Sequence, residues 1–297
     1  MDISIVIPVY NEEENVSPLY KELREVLSSL KKSYEIIFVD DGSTDKTKDK
    51  VRSISGKDRK VKLVSFRRNR GKSAALMAGF DKSRGGIIFT LDGDLQDNPK
   101  EIPKFIERIN RGYDLVSGWK FRRHDPITKT LPSRFFNFLT RVLTGVSVHD
   151  SNCGFKAYRK EVVNSLRIYG ELHRYIPSLT HWMGFRVGEV KVKHRPRKHG
   201  KSKYGVTRLM KGFLDLITIK FLNKFAERPL HFFGPIGILL ALAGFIAGVY
   251  LVTIWCTGES IGDRPLLILS VLLMIVGIQT FSIGLIGEMI INSRKKE

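Results

Sequence analysis

Two stretches near the carboxyl end limit the possible folds of this chain more than any other feature. From Pro229 to Gly258 there is no Asp, Glu, Lys or Arg, and from Pro265 to Gly287 there is again none. A helix needs about 20 apolar residues to cross a hydrocarbon core, and each stretch is long enough. The competing reading is a buried helical hairpin in a soluble protein, and the length and apolarity weigh against it. Glu259, Asp263 and Arg264 lie in the turn between the stretches, Lys220, Lys224 and Arg228 precede the first, and Arg294, Lys295 and Lys296 follow the second. Basic residues on both outer flanks place both termini inside. The amino terminus lacks the basic, apolar and small-residue series of a signal peptide, so the first part of the chain is expected to stay in the cytoplasm.

The rest of the chain must therefore fold beside a membrane, and its first half alternates apolar strands with amphipathic helices. Strands are predicted at Ile3 to Val9, Tyr34 to Val39, Val61 to Phe66, Gly86 to Leu91 and Asp114 to Ser117. Helices are predicted between them at Val16 to Leu30, Thr44 to Ile54, Lys72 to Lys82 and Pro99 to Arg111, the last opened by Asn98 as cap with Pro99 in the first turn. Repeated strand–helix units imply an α/β fold with a mostly parallel sheet flanked by helices, and ligands of such sheets bind beyond the carboxyl ends of the strands. Pro8-Val9-Tyr10-Asn11-Glu12, Asp40-Asp41-Gly42-Ser43 and Asp92-Gly93-Asp94-Leu95-Gln96 each end a different strand, so all are expected to line one crevice.

Asp92 and Asp94, with the carbonyl of Gln96 close behind, form a hard oxygen set suited to Mg²⁺ or Mn²⁺. Mg²⁺ is usually held by one or two carboxylates and completed by substrate phosphates, so the motif suggests a phosphorylated ligand. Alone, an Asp-x-Asp is equally a solvated acidic turn, and Asp40-Asp41-Gly42-Ser43-Thr44 is equally a helix cap, although capping leaves the second carboxylate without a role. The cations of Arg67-Arg68-Asn69-Arg70-Gly71-Lys72 stand at another strand end, where a helix terminus also attracts anions; a solvated charge run is the alternative.

Fifty Lys and Arg against thirty Asp and Glu give a formal charge of +20, which calls for an anionic partner: nucleic acid, an acidic membrane surface or a phosphorylated substrate. The basic residues gather beside membrane segments and phosphate sites, and aromatic stacking platforms are not evident, so nucleic acid is not the expected partner. Cys153 and Cys256 form no disulfide framework. Residues 133–146 carry Phe135, Phe138, Leu139, Val142, Leu143 and Val146 at helical spacing with Arg134 and Arg141 on another face, which fits a helix in the membrane interface or one packed on the core. Residues 206–228 repeat the arrangement directly before the first span and read as interfacial.

With Asp150-Ser151-Asn152-Cys153-Gly154-Phe155-Lys156, the three strand-end motifs resemble those of the polyprenyl-phosphate glycosyltransferases, inverting enzymes of the dolichol-phosphate mannosyltransferase type whose catalytic domain has the GT-A fold. Glu171-Leu172-His173-Arg174-Tyr175-Ile176-Pro177 and His199-Gly200-Lys201-Ser202-Lys203-Tyr204-Gly205, followed by the spans, look like the bacterial branch that glucosylates undecaprenyl phosphate. The similarity covers nearly the whole chain. No Gln-x-x-Arg-Trp occurs, which argues against the processive polysaccharide synthases.

The resemblance implies roles position by position. Pro8, Tyr10, Glu12, Asp40, Asp41 and Lys72 would bind the donor nucleotide, while Asp92, Asp94 and Gln96 would gather the metal and the donor diphosphate. Lys120, Arg122 and Arg134 would grip the acceptor phosphate, and Lys201, Ser202 and Lys203 a loop near the diphosphate. Lys120 stands where mannosyl-transferring relatives usually have Arg, which weakens a bidentate grip. Asp150 lies where a base is sought, and it equally suits orienting the acceptor or closing the metal site. The implied organisation is a cytoplasmic GT-A domain at 1–205, an interfacial helix at 206–228, two transmembrane helices at 229–291 and a basic tail at 292–297, in the cell inner membrane. The implied activity is transfer of a hexose, glucose favoured, from UDP-glucose to undecaprenyl phosphate, by a membrane homo-oligomer. Mannose, N-acetylhexosamine or amino-arabinose transfer, transfer to a glycerolipid hydroxyl, and non-catalytic nucleotide-sugar binding are the alternatives.

Overall fold

The computed structural model describes residues 1–121, 145, 146, 148–196, 218, 221, 225 and 228–294. The chain forms two compact units, Met1–Asp215 and Leu216–Glu297.

The first unit is built on a seven-stranded sheet. Its strands are β1 (Ile3–Val9), β2 (Tyr34–Asp40), β3 (Val61–Ser65), β4 (Ile87–Thr90), β5 (Leu115–Lys120), β6 (Lys156–Arg159) and β7 (Val187–Val192), in the spatial order β3-β2-β1-β4-β6-β5-β7. β1, β2, β3 and β4 pair in parallel, as the strand–helix alternation predicts. β1 and β2 are buried almost throughout, which fits their predominantly apolar sequences. The helices of this half are α1 (Val16–Ser29), α2 (Thr47–Lys57), α3 (Lys72–Lys82) and α4 (Ile102–Asn110), and shorter helices α5 (Lys160–Ser165) and α6 (Ile176–Trp182) follow. α1 buries Val16, Leu19, Leu23, Val26 and Leu27, and α4 buries Ile102, Phe105, Ile106 and Ile109, each the one-sided stripe of a helix lying on a sheet.

Some boundaries differ from expectation. α2 begins at Thr47 rather than Thr44, because Thr44 and Asp45 serve the preceding loop: the Thr44 N–H donates to Asn11 Oδ1 and the Thr47 N–H to Asp45 Oδ1. The expected helix from Pro99 opens as a 3₁₀ turn, Pro99–Glu101, with Asn98 Oδ1 accepting from the Lys100 N–H. β5 runs on to Lys120. β6 and β7 were not predicted. β6 runs antiparallel to both β4 and β5, entering between them, and β7 lies parallel to β5. The register of β6 sets Lys156 opposite Thr90 on one side and Ser117 on the other, so the start of β6 arrives at the same edge as the ends of β4 and β5. Phe155 fixes that entry, stacked on Phe105 with ring centroids 4.4 Å apart and tilted against Phe89 at 6.5 Å.

The second unit contains α7 (Leu230–Cys256) and α8 (Pro265–Arg294), both long and apolar enough to cross a membrane and little buried. They pack through small residues. A β-carbon added at Gly277 would fall 2.7 Å from the Gly237 carbonyl oxygen, and one at Gly244 would fall 2.6 Å from that of Ser270. Backbones approach this closely only where side chains are absent, which is the packing expected of helices in lipid. At one end the Leu230 N–H donates to Glu288 Oε2 at 3.4 Å, and Phe221 and Phe225 set their rings against Phe232 at 5.2 and 5.1 Å. Of the expected interfacial segments, 133–144 and almost all of 206–228 lie outside the described residues.

Candidate active site at the carboxyl edge of the sheet

β1, β2 and β4 end side by side, so their loops meet as predicted. The first two loops are tied together directly. The Asn11 N–H donates to Ser43 Oγ at 3.0 Å and the Glu12 N–H to Thr47 Oγ1 at 2.8 Å, while Glu12 Oε2 accepts from Asn15 Nδ2 at 2.6 Å. Asp40 Oδ1 accepts from the Ser43 N–H and Oδ2 from the Ser65 hydroxyl. Asp41 Oδ1 and Oδ2 accept from the N–H groups of Arg70 and Gly71 at 2.7 and 3.0 Å. Neither carboxylate caps a helix. The amides before α3, expected to meet a substrate anion, here hold Asp41. Gly42, at φ 71°, lets this turn press on the next loop: a β-carbon there would lie 2.7 Å from the Asn69 nitrogen.

The acidic turn completes the crevice. Gly93 lies against the end of β1, where a β-carbon would fall 2.9 Å from Val9 Cγ1. Leu95 is held at φ 62° and Asn11 at φ 54°. For a residue such as Leu this conformation costs roughly 1–2 kcal/mol and persists only where the surroundings impose it. Asp92 Oδ1 accepts from Lys72 Nζ at 2.5 Å. Asp94, largely buried, accepts from the Gln96 N–H at 3.2 Å. The Gln96 side-chain amide lies 3.4 Å from His194 Nε2 and 3.4 Å from the Arg195 carbonyl, at the bridge between Asp97 and His194. Asp97 pairs with Lys120 at 3.3 Å. Burial works against the Lys120 charge, but Asp97 together with the other negative groups around it, Asp92 and Asp150 among them, outweighs burial and holds the pKa well above the ordinary value.

Asp150 is buried behind β5, its carbonyl accepting from Ser117 Oγ at 3.3 Å. The segment that follows brings two features the sequence reading did not assign. Gly154 faces Asp92, and its carbonyl accepts from Thr90 Oγ1 at 2.7 Å. Lys156 is buried with its ammonium on the Cys153 carbonyl, and burial pushes its pKa down to about 8. His173 is the third addition. Its backbone N–H donates to Ser73 Oγ at 3.2 Å and its Nδ1 lies 3.1 Å from the same oxygen, while burial, with Lys72 and Arg174 beside it, holds its pKa well below the ordinary value. Pro8, Lys72, Asp92, Gly154, Lys156 and His173 line a cavity of about 10 Å³, room for a single water.

Pro8, Tyr10, Glu12, Asp40, Asp41, Lys72, Asp92, Asp94, Gln96, Lys120 and Asp150 thus lie on elements that meet at this edge, whereas Arg122, Arg134, Lys201, Ser202 and Lys203 lie outside the described residues. No three His, Cys, Asp or Glu side chains form a metal cage among the described residues. Two carboxylates on one turn fit a hard cation whose remaining ligands come from a substrate.

Residues 4–167 match the model of glycosyl transferase family 2, and residues 228–292 that of the GtrB C-terminal hairpin. The chain is 37% identical to dodecaprenyl-phosphate galacturonate synthase of Rhizobium johnstonii, over 98% of this chain and 88% of that one. It is 36% identical to undecaprenyl-phosphate 4-deoxy-4-formamido-L-arabinose transferase of Pseudomonas aeruginosa, over 96% and 84%. Among solved structures, glucosyl-3-phosphoglycerate synthase from Mycobacterium tuberculosis in complex with Mn²⁺ and UDP-glucose superposes with a TM-score of 0.58 at 21% identity, covering 75% of this chain and 78% of that one, a likeness of fold.

Proposed function

The chain belongs to glycosyl transferase family 2 and, within it, to the polyprenyl-phosphate glycosyltransferases, and we propose that it transfers one sugar from a uridine diphosphate carrier to a membrane polyprenyl phosphate, undecaprenyl phosphate in the first instance. The observation that carries this reading is the acidic turn after β4. Asp92 and Asp94 offer oxygens to a cation, and Lys72, beside Asp92, offers an ammonium to a phosphate.

In the proposed reaction an acceptor phosphate oxygen bonds to the anomeric carbon as the bond from that carbon to the donor diphosphate breaks, and the nucleoside diphosphate leaves from the opposite face. The product has inverted configuration. A phosphate monoester has a second pKa near 6, so the acceptor is already a dianion at neutral pH and needs no strong base. Asp150, buried beside the sheet edge, is read as an orienting carboxylate. Asp92 and Asp94, with Gln96 behind, would hold Mg²⁺ or Mn²⁺, which when bound neutralises charge on the departing diphosphate. Pro8, Tyr10, Glu12, Asp40 and Asp41 would hold the nucleoside, and Lys120 with Arg122, Arg134, Lys201, Ser202 and Lys203 the phosphates.

We further propose that the catalytic unit and both termini lie on the cytoplasmic side of the inner membrane, that the hairpin anchors the chain in the bilayer that carries its lipid substrate, and that the protein is a homo-oligomer. UDP-glucose is the first donor to try. The sugars in the relatives' names make UDP-galacturonate and the UDP-linked 4-deoxy-4-formamido-arabinose the next. Purified protein, Mn²⁺ and undecaprenyl phosphate challenged with this panel should give one polyprenyl-phosphate sugar. Transfer to a diacylglycerol hydroxyl with rejection of the polyprenyl phosphate overturns the reading.

A further inference from the structure

Asp92 is hemmed in on two sides. Its carboxylate presses on Gly154 so closely that a β-carbon there would lie 2.5 Å from Cγ and Oδ1, and the Thr90 hydroxyl on the Gly154 carbonyl keeps that backbone in place. No cation can enter from that direction. Lys72 Nζ takes Oδ1 from another direction at 2.5 Å, with both side chains about 30% exposed, at 31% and 30%. Partial burial works to raise the Asp92 pKa, and Lys72, then Lys120, outweigh it and hold it well below the carboxylate range.

The backbone of Lys72 is not free to follow its side chain. It opens α3 directly after Gly71 at φ 89°, the amides of Arg70 and Gly71 are held by Asp41, and Ser73 is clasped by His173. Movement is therefore left to a flexible four-carbon stem carrying a point charge.

We propose that Lys72 is the counter-ion of Asp92 in the donor-free enzyme, and that a divalent cation gains Asp92 only as the donor diphosphate draws the ammonium away. This deepens the reading of the acidic turn as a metal–diphosphate site and rests on it. One lysine then serves two anions in turn, a carboxylate while the site waits and a diphosphate once it fills. Metal and donor bind cooperatively, and by linkage each raises the affinity of the other equally. The enzyme excludes metal until it has substrate.

The test is Mn²⁺ binding to the full detergent-solubilised chain, read from the electron paramagnetic resonance signal of free Mn²⁺, with and without UDP. Without UDP, Lys72→Met should bind Mn²⁺ at least about tenfold more tightly than wild type, because a competing charge is gone from the ligand. UDP should raise Mn²⁺ affinity more in wild type than in Lys72→Met. Asp92→Asn should cancel the gain when combined with Lys72→Met. Equal Mn²⁺ affinity of wild type and Lys72→Met without UDP overturns the counter-ion role while leaving the metal–diphosphate site standing. If UDP fails to raise Mn²⁺ affinity in wild type and Asp92→Asn matches wild type with UDP present, the metal–diphosphate site itself is overturned. Should Lys72→Met not fold, Lys72→Gln is judged by the same comparisons.

Discussion

The carboxylate of Asp92 lies in the space a side chain at Gly154 would need, although the two residues are 62 positions apart in sequence (154 − 92 = 62). A methyl group there must displace Asp92 or the start of β6. Gly154→Ala should therefore cut transfer by roughly 10²-fold or more, because a misplacement of about 1 Å is enough for that. Far-UV circular dichroism should stay that of wild type, and the measurement is initial rate against both substrates.

Asp94→Ala should reduce transfer to background, at least about 10³-fold, with folding intact, since Asp94 lies in the turn after β4, outside every strand and helix. Wild-type turnover in this variant would remove the acidic turn from the mechanism. Thermal unfolding of the same preparation separates loss of chemistry from loss of fold.

Glu35 predicts a pH dependence far from the chemistry. It is buried on β2, with Lys62 Nζ at 2.5 Å, Ser4 Oγ at 2.6 Å and the Arg84 N–H at 2.7 Å on its carboxylate. Burial works to raise its pKa, and the bonds from Lys62, Ser4 and Arg84 outweigh burial and hold it below the ordinary value. A lowered carboxylate contributes stability that is complete above its unfolded pKa, about 4.3, and is lost as pH falls through the lower folded value. Glu35→Gln should lower the thermal midpoint of the first unit by about 2–8 °C at pH 7. The gap to wild type should close as the pH is taken below about 4.

Two glycines of the hairpin should respond oppositely. Gly277→Leu forces a side chain between backbones so close that its first carbon would lie 2.7 Å from the Gly237 oxygen and closer still to the Ala241 nitrogen. It should lower the aggregation temperature in detergent and the yield from membranes. A β-carbon at Gly248 meets nothing within 4 Å, so Gly248→Leu should leave both unchanged.

The parallel half of the sheet was legible because each of its strands is mostly apolar and rich in β-branched residues, and is followed by an amphipathic helix. The carboxylates at their ends stood out because a helix cap needs only one of Asp40 and Asp41, and because Asp92 and Asp94 share one short turn. The hairpin was legible from missing charge alone. β6 was not, since Lys-Ala-Tyr-Arg is too short and too polar to show a period, and its place is decided by partners far along the chain. Lys156 was hidden with it: a lone lysine in sequence reads as solvated, and only the antiparallel register carries this one inward. His173 left no signal beyond its place in a quoted motif, because its contact with Ser73 spans 100 residues.

The pairing of Ser117 with Lys156 has a consequence for how such an enzyme can change over generations. β5 ends at Lys120 and β6 starts beside it at Lys156, so the two ends of the intervening chain are held at one edge whatever its length. Doubling the length of a flexible connection costs only about 0.6 kcal/mol in closure entropy. Insertions placed before Asp150, away from the stretch through Gly154 that meets Asp92, should therefore leave the donor crevice intact.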